Sequence, residues 1–201
     1  MRRLRNPARV LPISRYTAHE RRITVFHVHF IWAQSTSGIM GVNGKLPWHD
    51  RGDLQHFKDM TTGKVVVMGR KTRQSLPQRN KKLPNRTNIV LSRTMKSTRA
   101  IKAVASPYAA IEQAAAEGKD EIWVIGGHET FQAFIKAHDL DKLPFRLDAY
   151  VSVLAVDDEI QPIRTSDDIT WAPVLDDRWV QLYDHMAGLR RRLQKYVKVF
   201  R

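Results

Sequence analysis

The sequence of 201 residues contains no cysteine. This absence excludes disulfide bonds, thiolate catalysis and cysteine-ligated metals, and it is typical of a reducing compartment, so we expect a cytoplasmic protein. No stretch approaches the roughly 18 consecutive apolar residues that a membrane helix requires, and we expect no membrane partner. No proline-rich or serine-rich linker divides the chain, whose length suits one domain with a sizeable core.

Acidic residues are scarce relative to basic ones, with 20 Asp and Glu against 34 Lys and Arg and a net charge of +14. Residues 1–22 hold seven arginines and one acid, so this segment supplies six of those charges and leaves eight for the remainder. We predict a disordered basic extension over 1–22 and one domain over 23–201. The extension also resembles a transit peptide, although serine is sparse. The surplus of positive charge favours an anionic partner, which could be a phosphorylated cofactor, a polycarboxylate substrate or nucleic acid. Nucleic acid is the least favoured of these, because the aromatic residues do not interleave with the basic residues.

Short apolar runs alternate with helical patterns, which predicts an α/β fold with a mostly parallel sheet covered on both faces. The predicted strands are 23–33, 64–68, 87–91, 101–105, 121–125 and 149–155, followed by an antiparallel pair, 180–184 and 189–199. The predicted helices are 53–62, 71–75, 107–117 and 129–137. Residues 38–47, with three glycines and Pro47, predict a mobile loop.

The chain also lacks the two commonest nucleotide-binding motifs. Neither G-x-G-x-x-G nor G-x-x-x-x-G-K-[ST] occurs, which argues against an ordinary Rossmann dehydrogenase and a P-loop kinase. Three predicted strand ends nevertheless combine glycines, hydroxyls and cations, at residues 69–72, 92–93 and 126–130. Since ligands of parallel sheets collect at the carboxyl ends of strands, these junctions predict a binder of an extended anion with separate phosphates.

The acid Asp53 lies between Trp48 and Phe57, at the start of a predicted helix. Asp53, Phe57 and Met60 recur at helical spacing, so one helix face carries an acid among apolar groups. Two interpretations stay open on spacing alone. Asp53 is either a functional acid or an ordinary first-turn acid that complements the helix dipole, and Asp50 is a rival for both roles.

Two histidines, His27 and His29, share one face of the first predicted strand. This spacing suits a metal, but no third ligand stands at a sensible distance in the sequence, so we expect no metal site.

Several segments resemble motifs of the bacterial type of the dihydrofolate reductase family, and they occur in the same order along the chain. The segment FIWAQSTSGIMGVNGKLPW is similar to the family's first strand and gating loop, and the helix from Asp53 to Phe57 resembles its substrate helix. VVVMGRKT, LPNRTNIVLSR and WVIGG resemble its cofactor strands, in the family's order. The resemblance spans about residues 23–199. It implies an eight-stranded, mostly parallel sheet with an antiparallel C-terminal strand and about four helices.

The resemblance implies an NADPH-dependent oxidoreductase that reduces 7,8-dihydrofolate to tetrahydrofolate, and we expect a monomer. Asp53 would orient the pterin and assist protonation of N5, Trp48 would hold a water, and Ser152 would stand behind the acid. The implied substrate contacts are Ile31, Ala33, Asp53, Leu54, Phe57, Lys58, Leu76, Leu83, Arg86, Ile125 and Ser152, with Arg86 clamping the glutamate α-carboxylate. Lys58 is equally interpretable as a solvated helix charge.

The implied NADPH contacts are numerous. They are Ala33, Ile39, Met40, Gly41, Asn43, Gly44, Lys45, Gly69, Arg70, Lys71, Thr72, Ser75, Leu91, Ser92, Arg93, Ile125, Gly126, Gly127, His128, Glu129, Thr130 and Phe131. In this family the Gly126–Gly127 peptide bond is cis.

Several positions depart from the family pattern. His128 replaces a third glycine, Arg73 stands where an aromatic residue is common, and residues 49–52 replace a leucine–proline pair. These changes put cofactor affinity and loop geometry in doubt more than the reaction. One alternative is a riboflavin-pathway reductase of the same fold, which lacks the set of Trp48, Asp53, Phe57 and Arg86. A basic nucleic-acid-binding protein is the other alternative, and it would need no buried acid.

Overall fold

A computed structural model describes residues 25–76, 81–141, 145–160 and 166–199. The predicted basic extension, residues 1–22, lies outside the described residues. The strands are β1 (Phe26–Ser35), β2 (Ile39–Val42), β3 (Val65–Gly69), β4 (Thr87–Leu91), β5 (Lys102–Val104), β6 (Glu121–Val124), β7 (Phe145–Leu154), β8 (Ile169–Trp171), β9 (Trp179–Met186) and β10 (Arg191–Lys198). The helices are α1 (Arg51–Thr61), α2 (Arg70–Ser75), α3 (Pro107–Ala116), α4 (His128–Asp141) and α5 (Asp157–Ile160).

Eight strands form one sheet in the order β5-β4-β3-β6-β1-β7-β10-β9. The pairs from β5 to β7 are parallel, whereas β10 runs antiparallel to both β7 and β9. The predicted α/β sheet with its antiparallel C-terminal strand is therefore confirmed. Five helices are found instead of about four, because the four-residue α5 had not been predicted.

The central parallel strands of the sheet are buried on both faces, as a parallel sheet requires. Alternate residues of β1 serve opposite clusters: Phe30 packs with Phe131 and Phe134 of α4, whereas Ile31 packs with Val66 and neighbouring residues on the other face. Phe57 and Met60 of α1 also join this second cluster, as their helical spacing predicted. The packing fixes α1 beside the carboxyl ends of the central strands.

Part of the predicted loop over 38–47 was wrong, because β2 lies within it. Strand β2 pairs antiparallel with β8, from Ile39 opposite Trp171 to Val42 opposite Ile169. The two strands form a separate small sheet. Its pairing is far apart in sequence, so the local glycine content concealed the strand.

Candidate active site

A large pocket of about 1330 Å³ lies along the carboxyl ends of β1, β3, β4 and β6, with α1 on one side. Most of the residues predicted to contact ligands lie on its wall. These are Ile31, Ala33, Met40, Gly41, Gly44, Lys45, Asp53, Leu54, Phe57, Lys58, Gly69, Arg70, Lys71, Thr72, Ser75, Leu76, Leu83, Arg86, Leu91, Ser92, Arg93, Ile125, Gly126, Gly127, His128, Glu129, Thr130, Phe131 and Ser152.

The two acids at the start of α1 have different positions. Asp50 is the N-cap residue, and its Oδ1 accepts a hydrogen bond of 2.7 Å from the backbone N–H of Asp53. This is the usual way in which an aspartate satisfies a free N–H of the first turn. Asp50 thus serves as the cap, which leaves the carboxylate of Asp53 for the pocket.

Asp53 is a buried acid, with 8 % of its surface exposed. Burial raises the pKa of the Asp53 carboxyl, because desolvation disfavours its charged form. A hydrogen bond from the Ser152 hydroxyl and the positive charge of Arg191 oppose that rise. Ser152 lies on β7, directly opposite Ala33 of β1, so the sheet register places the hydroxyl behind the acid.

Trp48 lies beside the acid without facing the main pocket. It borders a side cavity of about 190 Å³, shared with Asp50, Asp53 and Leu54. Its Nε1 is buried and finds no hydrogen-bond acceptor among the described residues. A buried donor of this kind is costly to leave unpaired, which makes Nε1 a suitable partner for a water molecule.

Arg86 lies on the pocket wall near the C-terminal end of α1, where that end of the helix and its own loop hold it. Its Nε donates to Thr61 Oγ1 (3.0 Å), Nη1 to the Pro84 carbonyl oxygen (2.8 Å) and Nη2 to Thr62 Oγ1 (3.2 Å). The guanidinium carbon lies 5.7 Å from the centre of the Phe57 ring. Each Nη carries a second N–H, so the fixed guanidinium can still bind a carboxylate.

The carboxyl ends of β3 and β6 approach each other closely near the start of α4. The Gly69 N–H donates to the Gly126 carbonyl oxygen at 2.7 Å. A Cβ on Gly69 would lie only 2.7 Å from Thr130 Oγ1, so this position requires glycine. The Gly126–Gly127 peptide bond is cis, as the resemblance predicted.

Two predicted cofactor contacts lie away from the pocket wall. Ile39 packs in a buried cluster with Trp48 and Leu154, because its strand pairs with β8. The Asn43 side chain bonds to Asp167 and to the backbone N–H of Asp168. Direct contact of these two side chains with a cofactor is therefore not supported.

Two parts of this region were not predicted from the sequence. Residues 168–171, at and before β8, form part of the pocket wall, and Nδ1 of His128 lies 2.9 Å from the Trp171 carbonyl oxygen. His56 also lines the pocket, and Arg191 of β10 lies near Asp53. No local motif marks residues 168–171 or Arg191, because they reach the site through long-range strand pairing. His56 lies on α1 three residues after Asp53, so helical spacing could have identified it.

The paired histidines of β1 have a third candidate ligand after all, so the expectation that none was available was wrong. Nitrogen atoms of His27 and His29 and an oxygen of Asp148 lie within 4.8 Å of one another. Asp148 Oδ1 already accepts from Arg146 Nε at 2.9 Å, and Oδ2 lies 3.4 Å from His29 Nδ1. His29 Nε2 lies 3.3 Å from Glu121. This is an ion-pair network at the amino end of β1, and we assign no metal to it.

Within the described ranges, no helix is long and apolar enough to cross a membrane.

Comparisons with known proteins agree on one family. The family model described as dihydrofolate reductase matches residues 27–144. The dihydrofolate reductase of Mycobacterium leprae is 38 % identical over 175 residues, covering 84 % of this chain and 96 % of the relative. That of Mycobacterium tuberculosis is 34 % identical over 173 residues with the same coverage. The structure of Enterococcus faecalis dihydrofolate reductase complexed with NADP(H) and RAB-propyl matches with a TM-score of 0.66 and 25 % identity, covering 86 % of this chain and 96 % of that one.

The fold, the pocket and these matches define an NADPH-dependent oxidoreductase. The chain belongs to the dihydrofolate reductase family. The predicted family, enzyme class and cofactor are thereby confirmed, whereas the roles of individual residues stay predictions.

Proposed function

We propose that this protein transfers hydride from NADPH to C6 of 7,8-dihydrofolate, with Asp53 assisting protonation of N5 to give 5,6,7,8-tetrahydrofolate. The observation that carries the proposal is the position of Asp53. It is a buried acid with a raised pKa that opens into the same pocket as the cationic strand ends. A pocket that joins such an acid to an anion-binding rim suits a proton-assisted reduction with a phosphorylated cofactor.

Asp53 would bind the amidine-like edge of the pterin, because a carboxylate can accept two parallel N–H bonds. Its raised pKa keeps more of the group protonated near neutral pH than an exposed aspartate would be. The Ser152 hydroxyl fixes the carboxylate from behind. Asp53 would therefore orient the ring in its ionised form, and in its protonated form it would supply the proton that N5 gains.

Trp48 would hold the water that carries the proton. Its unpaired, buried Nε1 lies on the side cavity that Asp53 also borders. A water in this cavity would accept from Nε1 and lie next to the acid, where it can relay a proton to the substrate.

The rest of dihydrofolate would extend towards Arg86. Phe57, Ile31 and Leu83 offer apolar walls for the pterin and aminobenzoyl rings. The anchored guanidinium of Arg86 would bind the glutamate α-carboxylate bidentately, and Lys58 stands nearby on the pocket wall.

The residues at the other end fit NADPH. The close approach of Gly69 and Thr130 and the glycines 126 and 127 expose backbone to the pocket, and Arg70, Lys71 and Arg93 add positive charge. When bound, NADPH supplies the hydride. Thr72, Ser92 and these cations would hold its adenosine phosphates, and the segment that contains β2 would cover the nicotinamide and exclude water.

The discriminating experiment compares two substrates in one assay, the loss of NADPH absorbance. We expect turnover with dihydrofolate and none with a riboflavin-pathway pyrimidine, because the proposed roles of Asp53, Phe57 and Arg86 suit a pterin with a glutamate tail. Turnover of the pyrimidine alone would contradict the proposal. Saturable binding of nucleic acid without turnover of either substrate would favour the other alternative.

A cytoplasmic location, a monomeric state and the division into a 1–22 extension and a 23–201 reductase domain stay predictions.

A further inference from the structure

Arg191, the first residue of β10, lies against the start of α1. In the antiparallel register Arg191 is opposite Leu154 and Leu193 is opposite Ser152, so Arg191 shares the sheet face that carries Ser152. Its guanidinium reaches the helix at Gly52, one residue before Asp53. A Cβ on Gly52 would lie 3.1 Å from Arg191 Nη2 and 3.3 Å from its Cζ. The absence of a side chain at Gly52 therefore makes room for the cation.

The cation is fixed by its own hairpin. Nη2 donates to the Ala187 carbonyl oxygen at 3.1 Å, and the Ala187 N–H donates to the Arg191 carbonyl oxygen at 2.8 Å. Nη1 is buried and has no hydrogen-bond partner in the described part of the chain. An unpaired, buried N–H of a charged group is costly, so a structural role alone explains this arrangement poorly.

The charged groups around Asp53 come from three neighbouring elements. On α1 they are Asp50, which raises the pKa of Asp53, and His56, which lowers it. From β7 the Ser152 hydroxyl hydrogen-bonds the acid, and from β10 Arg191 makes the largest opposing contribution from a charge. His185 of β9 faces His56, and burial together with Arg191 lowers the pKa of His56. Because His56 is thereby kept largely neutral, Arg191 is the principal fixed cation near the acid.

We propose that Arg191 is a positioning residue for the reduction: its guanidinium, lodged against Gly52, sets the charge state of Asp53 and thereby the pH range in which the enzyme works. This inference rests on the proposed role of Asp53 as the acid. No ion pair within 4.0 Å joins the two side chains among the described residues, so Arg191 acts on the carboxylate through space. A cation here favours ionised Asp53 and places the fall in rate at lower pH.

The test measures the rate of hydride transfer in single turnovers over a pH series, and the midpoint of the fall in rate with rising pH is compared between variants. We expect Arg191→Leu to move the midpoint of the pH profile upwards, so that on the alkaline side its rate constant is severalfold above the wild-type value. The midpoint of Arg191→Lys should lie between those of wild type and Arg191→Leu. Arg192→Leu is the matched control, since it removes one charge from an exposed neighbour that pairs with Asp184 at 2.9 Å. Its midpoint should stay in place.

A second variant covers the case in which Arg191→Leu fails to fold. Gly52→Ala leaves the net charge unchanged, and its Cβ would lie 3.1 Å from Arg191 Nη2 and 3.3 Å from Asp50 Oδ1, so the guanidinium has to shift and the midpoint should move. An unmoved midpoint in every folded variant, or an equal movement in Arg192→Leu, overturns the inference. Asp53→Asn distinguishes a failure of the inference about Arg191 from a failure of the proposed function. Full activity of Asp53→Asn would refute the role of the acid, whereas its inactivity with an unmoved Arg191→Leu profile would refute only the role of Arg191.

Discussion

Replacing Arg86 by lysine should weaken binding of dihydrofolate and leave the chemical step intact. Three guanidinium nitrogens of Arg86 each donate once, to Thr61, Pro84 and Thr62, and these bonds hold it at the pocket rim. The remaining N–H on each Nη gives two charge-assisted bonds to a carboxylate, each worth about 1.5–3 kcal/mol, and lysine cannot reproduce the planar pair. Because lysine still makes one charge-assisted bond and Arg86 is partly exposed, the expected loss is that of one bond, about 2–3 kcal/mol, which is a roughly 30- to 150-fold rise in KM.

The assay is steady-state oxidation of NADPH with two substrates. Dihydrofolate should show the rise in KM with little change in kcat, because the glutamate is remote from the reacting atoms. A 7,8-dihydropterin without the glutamate should bind wild type and Arg86→Lys equally well. An equal loss for both substrates would refute the clamp and indicate that the variant distorts the pocket.

Three further predictions concern single residues. Arg93→Ala should narrow the preference for NADPH over NADH in kcat/KM, because Arg93 would bind the 2′-phosphate that NADH lacks. Arg99→Ala, which changes an exposed residue outside the pocket, should keep this preference. An unchanged ratio of the two kcat/KM values in Arg93→Ala would show that Arg93 does not bind the 2′-phosphate. Asp50→Ala should lower the free energy of unfolding in urea by about 1 kcal/mol through loss of the N-cap, and Asp59→Ala, an exposed acid of the same helix, by less than about 0.5 kcal/mol. Asp53→Asn should unfold at a higher temperature than wild type at neutral pH. Because burial raises the pKa of Asp53, the folded protein binds more protons at this site than the unfolded chain does. The stability that wild type has in acid is therefore lost as the pH rises from the unfolded-state pKa of Asp53 through its raised folded-state pKa. A lower Tm for Asp53→Asn than for wild type would contradict this reasoning.

The sequence predicted the parallel sheet well because its signals are local. Runs such as Thr87–Leu91 are apolar, branched and bounded by polar residues, and β4 has those same limits. The cationic strand ends were also predictable, since the carboxyl ends of neighbouring parallel strands meet along one edge of a sheet. Features that a single continuous segment determines could therefore be predicted from the sequence.

What the sequence concealed depends on contacts between distant segments. Strand β2 is four residues long, and its partner β8 lies about 130 residues later in the chain, so glycines dominated its local pattern. Arg191 carries no motif, and only the pairing of β10 with β7 brings it to α1.

The central claim, that Asp53 is the acid of the reaction, is tested most directly by the pH dependence of single-turnover hydride transfer in wild type and Asp53→Asn. The wild-type rate should fall as the pH rises through the raised pKa of Asp53. The asparagine variant should be slower at neutral pH by about 100-fold or more, the size of effect that general acid–base groups commonly have, and its profile should be flat over the same range. An Asp53→Asn enzyme with the wild-type rate, or with the wild-type pH profile, would contradict the account.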